Sequence, residues 1–258
     1  MTQNFSLSTA IEMARWSQFA YGQTPMPISF PANRVVPIDN IQTDIHGKLI
    51  ILPESNVLTF EGSHSMEDWL EDFQIKRLPW GAPGMMVHSG FLQAYLSVDA
   101  DIMAALDAAP VNPLWITGHS LGAALCAICS FSLVNFHASR WLDNIAGVYT
   151  FGNPRWTNLA GSLAHDALLG PRTWRVVDKL DPVCMVPWLQ GRYVHTKQNA
   201  WIDGDGALEI MRPELKKFPH QIKCLWQEWL RGEHEPFPDH AVEQYVGVLE
   251  TILNTPNP

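Results

Sequence analysis

With 47% hydrophobic and 17% charged side chains, this chain of 258 residues has enough apolar surface for a large buried core. That composition excludes wholesale disorder. The 26 Asp and Glu outnumber the 17 Lys and Arg, a net charge of −9, so the molecule repels phosphate backbones and anionic headgroups and nucleic-acid binding is not expected. No apolar run reaches the roughly 18 residues that a membrane-spanning helix requires.

The first residues, MTQNFSLSTAIEMARWSQFAY, lack the basic head, unbroken apolar stretch and small-residue cleavage site of a secretory signal. A cytoplasmic protein, leaderless export, or a chain supplied without its leader fits that reading. In chain order, Ile11, Ala14, Trp16 and Phe19 give residues 8–20 a near-helical apolar spacing behind Ser and Thr caps. LIIL at 49–52 and VLTF at 57–60 flank the turn residues Pro53-Glu54-Ser55-Asn56 and predict a hairpin. Helices are expected near 66–75 and 91–108, then a short buried strand, LWIT at 114–117, and a long helix from about 121 to 137. The strand GVYTF at 147–151, a helix near 157–168, the strand TWRVV at 173–177 and a last helix from Ala241 to Leu253 complete the order. No repeat, low-complexity tract or Gly/Ser linker divides the chain, so one domain over 1–258 is expected. Its class is α/β: a mostly parallel sheet with helices on both faces and an antiparallel hairpin near the N-terminus.

The strongest chemical signal is Gly118-His119-Ser120-Leu121-Gly122, between a buried strand and an Ala-rich helix. A strand that reverses abruptly into a helix forces its corner residue into strained geometry and leaves no room for side chains at the flanking glycines. Ser120 would stand above the sheet edge at a helix N-terminus, where the dipole favours developing negative charge. A helix-capping serine explains Ser120 but not the paired glycines. A serine nucleophile needs a base and an orienting acid, which in such folds follow in the order acid, then His. Asp181, opening Asp181-Pro182-Val183 after the strand TWRVV, is the first choice for the acid and Asp178 its competitor. His240, just before the final helix, is the first choice for the base, with His234 and His220 as alternatives. His119 would diverge from Ser120 and pack or hydrogen-bond elsewhere.

Neither metal nor cofactor is expected. Cys126 and Cys129 lie in an Ala/Leu/Ile-rich helix, where Cys acts as a small buried hydrophobe, and they lack a partner pair at metal-ligand spacing. His88 and His195 have no carboxylate or His neighbours at ligand spacing and read as structural. The 11 Trp are scattered, which suits packing better than a carbohydrate platform.

Seven ordered blocks resemble the class 3 triacylglycerol lipases, fungal-type enzymes with an α/β-hydrolase fold. They are LTFEGS (58–63), VHSGF with Ala94-Tyr95, ITGHSLGAA (116–124), TFGNPR (150–155), Asp181-Pro182-Val183 with Pro187, Tyr193-Val194-His195, and Asp239-His240 with Tyr245. The resemblance implies an ester hydrolase with Ser120 as nucleophile, Asp181 as acid and His240 as base. It also implies an oxyanion hole from Leu121 and Ser63, and a lipid or ester substrate met at a lipid–water interface. Two positions depart from the pattern: Glu61 stands where the family commonly has Arg, and Tyr245 lies farther from His240 than usual.

After Ser63, the residues Met66, Trp69, Leu70 and Phe73 fall at i, i+3, i+4 and i+7, opposite Glu67, Asp68, Glu71 and Asp72. That pattern is a short amphipathic helix. It reads either as part of a lid over residues 64–84, with Pro79, Trp80, Gly81 and Gly84 as a hinge, or as a helix packed permanently on the core. Trp69 and Trp188, with Trp201, are candidates to contact the acyl chain, and 203–220 reads as a long loop near the site. A phospholipase A1, a short-chain esterase, and a catalytically silent lipase-like binding module are the alternative functions.

Overall fold

The structure, a computed structural model, describes residues 4–22, 24–26, 34–62, 76–178, 181–187, 192–203, 206–211 and 238–255. Ten strands are seen among these: β1 (Arg34–Asn40), β2 (Ile45–Ile51), β3 (Asn56–Phe60), β4 (Arg77–Pro79), β5 (Met86–His88), β6 (Leu114–His119), β7 (Ile145–Phe151), β8 (Thr173–Asp178), β9 (Asn199–Ile202) and β10 (Leu208–Ile210). Eight form one sheet in the order β1-β2-β3-β6-β7-β8-β9-β10, and β4 pairs with β5. Pairing is parallel from β3 through β9 and antiparallel at both margins. The main helices are α1 (Leu7–Ala20), α2 (Ser89–Leu96), α3 (Asp99–Ala108), α4 (Leu121–Phe136), α5 (Leu159–Leu169) and α6 (Val242–Asn254). None is long and apolar enough to cross a membrane.

The sheet is apolar on both sides because both sides are covered. Along β3, Leu58 and Phe60 join a cluster with α2, α3 and α4, while Val57 joins a second cluster with α1 and α6. Ile116 and Val148 continue the first cluster, and Tyr149, Phe151, Trp174 and Val176 the second. Helix α4 is apolar all round and buried from Gly122 to Val134, as a helix enclosed by the rest of the molecule must be. Cys126 and Cys129 are buried within it, and burial pushes both thiols up, away from the reactive thiolate.

Several elements differ from the expected ones for local reasons. The helix expected over 91–108 is two helices, broken at Ser97. The Ser97 hydroxyl donates to its own helix at Ala94 O (2.7 Å), and the Asn40 amide captures the Ser97 carbonyl (2.9 Å). Asp99 and Asp101 then supply the first turn of α3 with negative charge. Strand β1 was hidden by Pro37, which a sheet tolerates on an edge strand such as this one. The region expected as a loop over 203–220 contains β10. Of the lid segment, 64–75 lies outside the described residues, whereas 76–84 forms β4 and its turn, with Trp80 packed between Tyr95, Phe131 and Phe136.

The parallel strands end along one rim. Phe60 is opposite Gly118, His119 is opposite Phe151, and Asp178 is opposite Ile202. Ser120 and Asp181 follow β6 and β8 at that rim.

Candidate active site

Ser120 holds a backbone conformation of φ 58°, ψ −127° at the junction of β6 and α4. For a residue with a Cβ such geometry costs on the order of 1–3 kcal/mol and persists only where the surroundings enforce it. Here the Ser120 N–H donates to Phe151 O (3.0 Å) and its carbonyl accepts from Ala123 N–H (3.0 Å). A Cβ at Gly118 would lie 2.7 Å from Gly122 O, and one at Gly122 would strike Phe60 O. The two glycines thus let the helix start pack directly on β3 and β6. Leu121 is the first residue of α4, and its N–H has no carbonyl one turn back within the helix to accept it.

Asp181 and His240 meet across the rim. His240 Nδ1 lies 2.9 Å and 2.8 Å from the two Asp181 carboxylate oxygens, with both side chains buried. An acceptor-only carboxylate makes Nδ1 the protonated nitrogen and directs Nε2 away from the acid. Nε2 is buried and, among the described residues, has no hydrogen-bond partner. Ser120 and His240 both border the end of β7: Ser120 binds Phe151 O, and a Cβ on Gly152 would come within 2.8 Å of His240 Cε1 and of Asp181 Oδ2. Gly152, at φ 59°, supplies the close approach that lets imidazole and carboxylate cross the strand end.

Two further groups bind the Asp181 carboxylate. Val183 N–H donates to Asp181 Oδ1 (2.9 Å) and the Tyr245 hydroxyl to Oδ2 (2.6 Å). Burial alone would raise the Asp181 carboxyl, but the nearby His240, its ring N–H and the Tyr245 O–H together hold it below the usual carboxylate range. Asp178, the competitor, joins this cluster through its backbone: its N–H donates to Tyr245 Oη (3.1 Å), and its carbonyl accepts from Asp181 N–H (2.9 Å). Tyr245 therefore has a geometric role that its position in the sequence did not reveal. Arg155 has one too. Its guanidinium donates to Met185 O (2.5 Å) and Pro187 O (3.2 Å), and its N–H to Val186 O (2.8 Å), which clamps the loop carrying Asp181. The signal for Arg155 was its place in TFGNPR, but nothing in that block said what it would hold.

The remaining candidates lie elsewhere. His88 Nδ1 accepts from Phe91 N–H (3.4 Å) at the start of α2, and His195 Nε2 donates to Cys184 O (2.6 Å). Both are structural placements. Trp201 lies within β9, opposite Val177 and Glu209. Ser63, Trp69 and Trp188, with the alternative bases His220 and His234, fall outside the described residues. Among the described residues, no group of three or more His, Cys, Asp or Glu is placed to hold a metal ion.

Comparison with known proteins identifies the family. The family described as Lipase (class 3) matches residues 57–191. A secreted mono- and diacylglycerol lipase 1 from Fusarium solani is 32% identical over 154 residues, which cover 57% of this chain and 44% of that protein. Phospholipase A1-II 1 from Oryza sativa subsp. indica is 26% identical over 244 residues, 85% of this chain and 58% of that one. The chain thus spans about half the length of these curated relatives. The solved triacylglyceride lipase of Rhizomucor miehei superimposes with a TM-score of 0.71 at 19% identity, covering 93% of this chain and 92% of that one. The α/β architecture is shared with that structure, and the family match extends over more than half of the sequence: the chain belongs to the class 3 lipase family.

Proposed function

We propose that this chain is a serine ester hydrolase that cleaves acylglycerols through an acyl-enzyme. The observation that carries the reading is the buried Asp181–His240 pair beside a strained serine at a helix N-terminus. His240 Nε2 takes the Ser120 proton as Oγ attacks the ester carbonyl carbon. The oxyanion that forms is stabilised by the Leu121 N–H and by Ser63, donors worth roughly 2.7–4 kcal/mol each where single ones have been removed elsewhere. The protonated His240 then gives its proton to the departing alkoxide, the acyl–Ser120 ester remains, and the alcohol leaves. Water, deprotonated by the same imidazole, attacks the acyl carbon and releases the fatty acid, returning the proton to Ser120. Asp181 stays ionised throughout, holding the ring orientation and stabilising the imidazolium.

Acylglycerol as substrate rests on family membership and on relatives named as mono- and diacylglycerol lipases. The amphipathic pattern over 66–73, proposed as a lid that hides an apolar acyl cleft, agrees with action at a lipid surface. Phospholipase A1 activity is the second reading, favoured by the relative of that name, whose match covers most of this chain. Rates on tributyrin, a triolein emulsion and phosphatidylcholine vesicles distinguish the two. On any ester that wild type cleaves, Ser120→Ala is expected to lower turnover by about 10⁶-fold with unchanged circular dichroism. Turnover at the wild-type rate would refute the assignment.

A further inference from the structure

His119 stands inside the elbow, next to Ser120, yet takes no part in the chemistry above. Its ring is buried against that of His240, with centroids 4.4 Å apart. His119 Nε2 lies 2.5 Å from the backbone carbonyl of His240, and Nδ1 lies 2.7 Å from the Tyr21 hydroxyl. A carbonyl only accepts, so Nε2 carries the ring proton. Burial, and then the charge of His240, lower His119 to about 3, so at working pH the ring is neutral and Nδ1 is an acceptor. Tyr21 O–H therefore donates to Nδ1, and the Tyr21 oxygen in turn accepts from Gly62 N–H. The donors run in one direction, from Gly62 N–H to Tyr21 O–H to His119 Nε2–H to the His240 carbonyl, an arrangement in which each bond polarises the next.

Tyr21 is itself anchored. It ends α1, where its N–H donates to Gln18 O (3.2 Å), and α1 is fixed to β6 by the hydroxyl pair Ser17–Thr117 (2.9 Å) and by Thr117 donating to Met13 O (3.1 Å). The three segments joined by this relay are the end of β3, the elbow, and the turn before α6. Two of them carry a proposed catalytic group: Ser120 follows His119, and His240 supplies its own carbonyl.

We propose that Tyr21 and His119 are positioning residues, whose relay ties the main chain at Gly62 to the main chain of His240 and so holds the base in place beside Ser120. The proposal rests on the triad reading above. It gives a reason for His at the second position of the elbow, since the relay needs one group that donates to a carbonyl and accepts from a phenol at the same time. No other neutral side chain does both across a rigid ring.

The test compares Tyr21→Phe, His119→Ala and His119→Gln with wild type on a soluble p-nitrophenyl ester. Thermal melting is measured alongside, together with wild-type reaction with a fluorophosphonate. Tyr21→Phe removes a single oxygen and is expected to fold with the wild-type melting profile while losing kcat about tenfold. His119→Ala is expected to lose roughly 10²-fold, the scale of a misplacement near 1 Å. In both, KM stays within about twofold, because substrate binding is not what the relay controls. His119→Gln keeps an N–H able to reach the His240 carbonyl and is expected to recover most of the loss. Wild-type kcat in Tyr21→Phe and His119→Ala, with wild-type Ser120 labelled, would overturn the inference and leave the triad standing. So would a Gln variant no better than Ala, since that marks a packing role alone. An unlabelled wild type would sink the triad reading and this proposal with it.

Discussion

Asp181 carries its charge where burial opposes it. The His240 ring N–H, the Tyr245 hydroxyl and the Val183 N–H all point at this one carboxylate, and the result is a group held ionised well into acid. Replacing it with Asn leaves the shape but puts an amide where an acceptor is required, which favours the wrong imidazole tautomer. Asp181→Asn is therefore expected to reduce kcat by about 10⁴-fold, and Asp178→Asn by less than about tenfold, because Asp178 meets the cluster through its backbone. Parallel kcat measurements on the two variants check this, and equal losses would move the acid to Asp178. The order Ser, Asp, His and the turn at Asp181-Pro182 were legible in the sequence. What was not legible is the group that contacts both aspartates. Tyr245 bonds both, and it does so from a helix sixty-odd residues away in the chain, a contact that only the folded sheet rim creates.

Among elements, those with a strong apolar signal were legible and those defined by tertiary contact were not. Helix α4 and strands β3, β6, β7 and β8 have continuous apolar runs because the sheet is covered on both faces. The elbow glycines carried their own steric reason, which the close approach of Gly122 to the end of β3 bears out. By contrast, the break between α2 and α3 depends on an Asn40 amide reaching over from the end of β1. Periodicity along 91–108 contains no trace of that donor. Strand β1 has its apolar residues Val35, Val36 and Ile38 interrupted by a proline, and it exists because β2 offers it an edge. Strands β9 and β10 were missed for a related reason: a short strand at a sheet margin is specified by its neighbour more than by its own composition.

For the molecule as a whole, the two apolar layers enclose histidines that the fold keeps neutral. Burial lowers His119 to about 3 and His165 to about 4, and carries His195 well below its ordinary value. In the unfolded chain the same groups titrate at about 6.5. Between those limits the unfolded state binds protons that the native state refuses, so stability falls as pH drops below about 6.5. Each such His contributes a slope of up to about 1.4 kcal/mol per pH unit. His46, between Asp39 and Asp44, is raised and acts in the opposite direction, but it lies at the surface where solvent screens it. Urea midpoints are thus expected to fall steadily from pH 7 to pH 5, with a shallower fall in His165→Phe; a midpoint that is flat or rises towards acid would contradict this account of the core. The central claim, that the rim of the sheet presents an activated serine, is tested most directly by exposing the wild-type protein to a fluorophosphonate and mapping the adduct by peptide mass spectrometry. A single adduct on the peptide containing Ser120 is expected; ester hydrolysis accompanied by no adduct, or by one at a different residue, would contradict it.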